Sequence, residues 1–433
     1  MAIFPEDQLR KELRQICLQQ STPAHDVIRS NPAPRAMAKS LSSLWLKNIK
    51  RLGRVQQAQG RKLFKSLLPK AARPLLAQQN KSVAGRKPAR RTAVKRSSRA
   101  SSTTSSVLAA LPGVWKMSYL MAPITGNLTP GTRRMFWLYL PASMAGDAVG
   151  GRAASRAPIP LVVMLHGCQQ TACDFAIATR MNKLAERKGF AVLYPQQSAA
   201  ADTHRCWHWY KRSSQQGLGD VGLVVQMIAQ VQLKHQLDAS RTYLAGLSAG
   251  AALATLIAMR YPQMIAAVGL HSAPVFGSSD SPLSAYRTMQ QGAPHAHTPS
   301  MSAFAAVQPP PSHVAGMPAI LIHGGRDAVV RPINMDQLTQ QFMTLNAASI
   351  AGAEPIRGSF AARCVGRSPC HEYKTVTYYD GKKPQVLKCE IAALGHAWSG
   401  GDPSVAFSTP EGPDASLMMW NFFARHRRNV LPL

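Results

Sequence analysis

Gly246-Leu247-Ser248-Ala249-Gly250 is the stretch on which the fold turns. The apolar run Arg241-Thr-Tyr-Leu-Ala245 precedes it, and Ala251-Ala-Leu-Ala-Thr-Leu-Ile-Ala-Met259, helical in composition and length, follows. The pattern is strand, sharp turn, helix, with a serine at the tip. Such a turn needs small residues two places before and two after the serine, because the strand and helix backbones pass close together there. It lifts the hydroxyl clear of the sheet as an exposed nucleophile. The pentapeptide alone is weak evidence; strand before and helix after make it specific.

A serine hydroxyl is a poor nucleophile until a histidine takes its proton and an acid orients that histidine. In the α/β-hydrolase order the acid follows a later strand and the histidine comes last. Pro318-Ala-Ile-Leu-Ile-His-Gly-Gly325 reads as a buried parallel strand, with Asp327 directly after it. Val386-Leu-Lys-Cys-Glu-Ile-Ala-Ala393 reads as another, ending in Leu394-Gly-His396-Ala-Trp398. The order Ser248, Asp327, His396 is therefore met. Among 13 histidines, His323 lies inside a strand, where packing is expected. Asp336 and Asp380 are weaker acids, since neither directly follows an apolar run. Pro160-Leu-Val-Val-Met-Leu165 runs into His166-Gly-Cys168, so the amides of Cys168 and Ala249 are the candidate oxyanion donors. The alternative is an ordinary tight turn at Gly167.

Further stretches carry a resemblance: His166-Gly-Cys-Gln-Gln-Thr171, Leu193-Tyr-Pro-Gln-Gln197, Cys206-Trp-His-Trp-Tyr210, Gly395-His-Ala-Trp-Ser-Gly-Gly401 and Glu411-Gly-Pro-Asp-Ala415. From Trp115 to His426 the chain resembles the esterase family of poly(3-hydroxybutyrate) depolymerases, relatives of the feruloyl and acetylxylan esterases. The resemblance implies an α/β-hydrolase with a Ser248, Asp327, His396 triad acting on esters without metal or organic cofactor. The favoured substrate is poly- or oligo(3-hydroxybutyrate), with a feruloyl- or acetyl-type carbohydrate ester second. His166, Trp207, Trp209 and Trp398 are candidate substrate contacts, flat apolar rings being suited to an acyl chain; packing is the competing role. His208 and Asp220 depart from the family, where Asn and Glu are common. The chain also lacks a Ser/Thr-rich linker followed by a β-rich polymer-binding domain, which speaks against attack on crystalline polymer.

Charge divides the chain. It carries 51 Lys and Arg against 20 Asp and Glu, and residues 1–105 hold 23 basic and 4 acidic side chains. Residues 1–80 read as a basic extension. Within it Leu41, Trp45, Ile49, Leu52, Val55, Leu63 and Leu67 recur at helical spacing, as on a helix lying on a polyester granule or anionic membrane, or one packed on the catalytic domain. Residues 81–110 read as a disordered basic linker. Nucleic acid is an unlikely partner, since no folded nucleic-acid motif accompanies the charge. The N-terminus has no readable export signal, so a cytoplasmic or granule-associated protein is expected, with export as the alternative. A granule- or membrane-binding protein with a vestigial hydrolase fold is the reading from another class; three intact triad positions oppose it.

Residues 111–433 form the expected catalytic domain. Strands near 160–166, 190–195, 241–246, 266–271, 319–324 and 386–393 alternate with helices near 175–188, 220–237, 249–260, 334–346 and 414–425, and Met135–Leu140 reads as an edge strand. This predicts a mostly parallel sheet with helices on both faces. Residues 277–316, rich in Pro, Ser, His and Gly, read as a loop or lid. The seven cysteines leave pairing open: Cys168 and Cys206 both fall beside the site, and Cys364, Cys370 and Cys389 offer a second bridge.

Overall fold

The computed structural model describes residues 111–121, 133–144, 157–294, 316–361 and 371–428. The basic extension, the 41–68 stretch, the 81–110 linker, Cys364 and Cys370 lie outside the described residues. All of the described residues belong to one compact unit.

The first elements are β1 (Val114–Met121), β2 (Arg133–Leu140) and β3 (Leu161–Leu165). Helices α1 (Ala172–Thr179) and α2 (Met181–Lys188), β4 (Ala191–Pro195), α3 (Gly219–His235) and β5 (Thr242–Leu247) follow. Next come α4 (Ala249–Arg260), β6 (Ala267–His271), α5 (Pro282–Gln291), β7 (Ala319–Gly324) and α6 (Ile333–Leu345). The chain closes with β8 (Ile356–Ala361), β9 (Glu372–Asp380), β10 (Lys383–Ile391) and α7 (Ala415–Phe423). The strands make one ten-stranded sheet in the order β1-β2-β4-β3-β5-β6-β7-β10-β9-β8.

The central run from β4 to β10 is parallel throughout, and β3 to β7 are buried at every position. That burial explains why their sequences read as continuous apolar runs: both faces are covered by helices. The antiparallel strands sit at the two sides. This is the α/β-hydrolase architecture expected from the sequence. In such a sheet the loops at the carboxyl ends of the parallel strands gather on one edge, and Ser248, Asp327 and Cys168 all follow those ends.

Four expectations are corrected. Met135–Leu140 is not an edge strand, because β1 pairs with it along its whole length and Trp115 stacks on Trp137, centroids 5.1 Å apart. The single helix expected over 175–188 is two, broken where Arg180 adopts φ 53°. The break leaves late carbonyls of α1 free for the loop beyond His396. The Ala178 carbonyl accepts the Asp402 amide at 2.9 Å, and the Thr179 carbonyl accepts the Ser416 hydroxyl at 2.6 Å. Third, the 277–316 segment contains helix α5, started by a Ser281/Ser284 capping box with Pro282 in its first turn. Fourth, β8 and β9 add an antiparallel flank that no strand expectation covered. Its alternating burial with short polar stretches gives a weaker signal than the buried strands.

Candidate active site

The turn after β5 is built by close backbone approach. A Cβ on Gly246 would collide with the Gly250 backbone, and one on Gly250 with the Leu165 carbonyl oxygen. Between them Ser248 is held at φ 57°, ψ −121°, a strained conformation for a residue with a side chain. The Ser248 amide donates to the His271 carbonyl at 3.0 Å, so the next strand fixes the turn.

Asp327 lies in the loop after β7 and is 2% exposed. Its Oδ1 accepts the amides of Val329 and Val330, each at 2.9 Å. Its Oδ2 accepts the His396 Nδ1–H at 2.7 Å. Burial pushes this carboxyl upward, but the His396 charge and hydrogen bond, His323 and the Val330 amide outweigh it and hold it at about 2. The carboxylate is therefore ionised. With Nδ1 donating to Asp327, Nε2 of His396 is the nitrogen left to accept a proton. His323, expected as a packed core residue, is 1% exposed and donates from Nε2 to the Val330 carbonyl at 2.7 Å, closing the acid loop. Helix α5 clamps the same loop: the Arg331 amide donates to the Met289 carbonyl, and Gln290 Nε2 to the Val329 carbonyl. Asp336 instead faces Lys388 at 2.5 Å.

The turn after β3 supplies the opposite wall. Cys168 is disulfide-bonded to Cys206. In this turn the Gly167 amide donates to Gln170 Oε1, the Gln169 amide to the His204 carbonyl and the Gln170 amide to the Gly167 carbonyl. The Cys168 amide has no protein acceptor among the described residues. The Ala249 amide, first in α4, has no intrahelical acceptor. These are the two donors expected for an oxyanion. Of the remaining cysteines described, Cys173 and Cys389 are free.

The four residues expected to touch substrate do not share one fate. His166 is fully buried, donates from Nδ1 to the Gly167 carbonyl at 2.8 Å and accepts the Gln197 amide on Nε2 at 3.1 Å. Burial lowers its pKa to about 4, so the ring is neutral. The Trp207 indole N–H donates to the His166 carbonyl at 2.9 Å. Trp398 has no exposure, packs edge-on to Phe175, and donates to Ser416 Oγ at 3.2 Å. These three are buried and hydrogen-bonded into the walls of the site, the packing role that the sequence set against substrate contact. Trp209 differs: it lines a small cavity with Gln215, Ala252, Thr255, Leu256 and the Pro274–Gly277 segment.

Three features escaped the sequence reading. His271 is fully buried, its Nε2 accepts the Ser399 amide at 3.3 Å, and burial lowers its pKa to about 3. His208 sits with Nδ1 3.2 Å from Asp220 and Nε2 3.6 Å from Asp202. Hydrogen bonds to Asp202 and then Asp220 raise it to about 9 despite burial. Gln169 occupies φ 66°, and its buried Nε2 has no partner among the described residues. The departure of His208 and Asp220 from the family pattern was the available signal for the second of these. The others are tertiary pairings that sequence spacing does not encode.

The esterase PHB depolymerase family model matches residues 138–360, just over half of the chain. The chain belongs to this family. The match takes in Ser248, Asp327 and the Cys168 turn, and His396 lies beyond it. Among curated relatives, a poly(3-hydroxyalkanoate) depolymerase C of Paucimonas lemoignei is 30% identical over 255 residues, covering 57% of this chain and 58% of its own length. The chain thus spans less than two thirds of that relative. A feruloyl esterase B of Neurospora crassa is 27% identical over 54% of this chain and 77% of its own. One of Talaromyces funiculosus is 25% identical over 62% and 70%.

Proposed function

We propose that this chain is a serine esterase that hydrolyses poly- or oligo(3-hydroxybutyrate) and related hydroxyalkanoate esters through an acyl-enzyme. The observation that carries the reading is the 2.7 Å bond from His396 Nδ1–H to a buried, ionised Asp327, with the strained Ser248 turn and the loop after His396 both tied to His271. His396 Nε2 takes the Ser248 proton as Oγ bonds to the ester carbonyl carbon. The Cys168 and Ala249 amides hold the oxygen that becomes negative. Collapse breaks the bond to the leaving alcohol, which receives the proton from His396. Water then attacks the acyl-enzyme, giving up a proton to His396, and the 3-hydroxy acid departs as Ser248 recovers its hydrogen. The chemistry asks for no metal or organic cofactor.

Two of the relatives above are named feruloyl esterases, which makes a carbohydrate ester the second reading. The stretch 41–68 is proposed to hold the protein on a polyester granule or anionic membrane. The Cys168–Cys206 bridge supports an oxidising compartment, hence export, over the cytoplasm.

The test is turnover of p-nitrophenyl butyrate and of amorphous polyhydroxybutyrate granules by wild type and Ser248→Ala. Turnover of both, abolished in the variant, supports the proposal. Turnover of the small ester alone moves the substrate to oligomers or carbohydrate esters. Inactivity of folded wild type on both overturns it.

A further inference from the structure

The cavity walled by Trp209 is not used by the chemistry above. Its walls come from three elements that each also build the site. Ala252, Thr255 and Leu256 lie on α4, and the Ala252 amide donates to the Ser248 carbonyl at 3.0 Å, one turn beyond the nucleophile. The Pro274–Gly277 segment continues from β6, whose His271 carbonyl receives the Ser248 amide. Trp209 stands three residues past Cys206, on the loop that the disulfide joins to the Cys168 turn. The cavity is thus set against the nucleophile's own helix turn.

Its lining mixes apolar and polar surface, and several of the polar groups are engaged elsewhere. The Thr255 hydroxyl is turned to its own helix, donating to the Ala251 carbonyl at 3.1 Å. The Gln215 side-chain N–H groups go to the Tyr210 and Ser279 carbonyls. The Phe276 carbonyl accepts from Gln341 Nε2 at 2.9 Å. Indole, Ala, Leu, Pro and Val surfaces supply its apolar part. The space admits a group of roughly one water or methyl in size, and Trp209, Ala252, Thr255, Leu256, Val275 and Phe276 are nearly buried, so these walls have little room to retreat.

We propose that this cavity is an acyl subsite for a short aliphatic group, and that Trp209 and Ala252 set the upper limit on acyl length. The proposal rests on the serine-esterase reading and narrows it: acyl groups that end in a small methyl, as acetyl and 3-hydroxybutyryl do, are accepted, while aromatic acyl groups such as feruloyl are not.

The experiment compares kcat/KM for p-nitrophenyl acetate, butyrate, hexanoate and octanoate, plus methyl ferulate, in wild type, Trp209→Ala and Ala252→Val. Ratios are taken within each protein, so general damage cancels. Wild type is expected to lose about tenfold or more from butyrate to octanoate, the scale on which one or two methylenes are discriminated in a pocket. Trp209→Ala should flatten that fall by about tenfold, and Ala252→Val should lower butyrate relative to acetate by a similar factor. Chain-length ratios equal to wild type in both variants overturn the proposal, as does efficient wild-type turnover of methyl ferulate. Should Trp209→Ala fail to fold, Trp209→Phe and Ala252→Val still decide. Calorimetric binding of butyrate against octanoate is read separately from turnover. Butyrate binding weakened in Ala252→Val would uphold the subsite even if no ester were cleaved; no such binding together with no turnover would sink both readings.

Discussion

His271 receives Ser248 on its backbone and the histidine loop on its side chain. Its carbonyl accepts the Ser248 amide at 3.0 Å, while its Nε2 accepts the amide of Ser399, three residues past His396, at 3.3 Å. The ring is stacked on Trp398, centroids 5.2 Å apart. One buried residue therefore ties together the turns that carry nucleophile and base. Nε2 accepts only while the ring is neutral, and a pKa of about 3 keeps it so. Replacing His271 by Leu removes that acceptor and should lower kcat about 10- to 100-fold with KM changed little, as displacement of reacting groups does. His271→Gln, which keeps an acceptor, should recover part of the loss. Steady-state kinetics on p-nitrophenyl butyrate check it; unchanged kcat in the Leu variant counts against the coupling.

Asp327→Asn is nearly isosteric, and its oxygen can still accept the Val329 and Val330 amides. Its amide nitrogen would then face His396 Nδ1 and favour the wrong tautomer. Expected is a fall in kcat of about 10³- to 10⁴-fold with a native circular dichroism spectrum. A loss under tenfold would remove Asp327 from the role given to it.

The His208 clamp has a defined pH window. Its folded pKa, about 9, exceeds the usual value of about 6.5. The contribution to stability is therefore complete below about pH 6.5 and disappears as pH rises through about 9. Melting temperature should fall between about pH 7 and pH 10, and less steeply in His208→Gln. Parallel pH profiles for the two proteins would deny the clamp an energetic role.

The Cys168–Cys206 bond closes 38 residues of chain. Loss of a bond closing such a loop costs about 2–4 kcal/mol. Cys206→Ser should lower the melting temperature accordingly and also reduce kcat, because the Cys168 amide loses its anchorage. Equal kcat in oxidised and reduced protein would separate that amide from catalysis.

The sequence displayed some layers of this molecule far better than others. The parallel strands were legible because burial on both faces leaves unbroken apolar runs, and Ser248 because its turn demands Gly246 and Gly250. Asp327 and His396 could be placed by chain order, although their hydrogen bond is a meeting across 69 residues that no spacing encodes. The break at Arg180 was hidden: a left-handed arginine between two helical runs leaves no compositional mark. For Trp207 and Trp398 the sequence left packing and substrate contact both open. Proximity to a site in sequence does not say which side of the backbone faces the substrate. His271 was invisible because both of its roles are tertiary.

The glycine seam between Gly250 and Leu165 bears on how this protein can change. The turn bearing Cys168 and the turn bearing Ser248 are separated by backbone touching backbone, with no side chain interposed. A distance fixed in that way cannot be adjusted by substitution elsewhere, and any larger residue at position 250 removes it outright. Selection, natural or in the laboratory, therefore has no gradual path through the reaction geometry. What remains open to variation is the rim: a residue such as Trp209 can be exchanged to alter which esters are accepted while the seam stays intact.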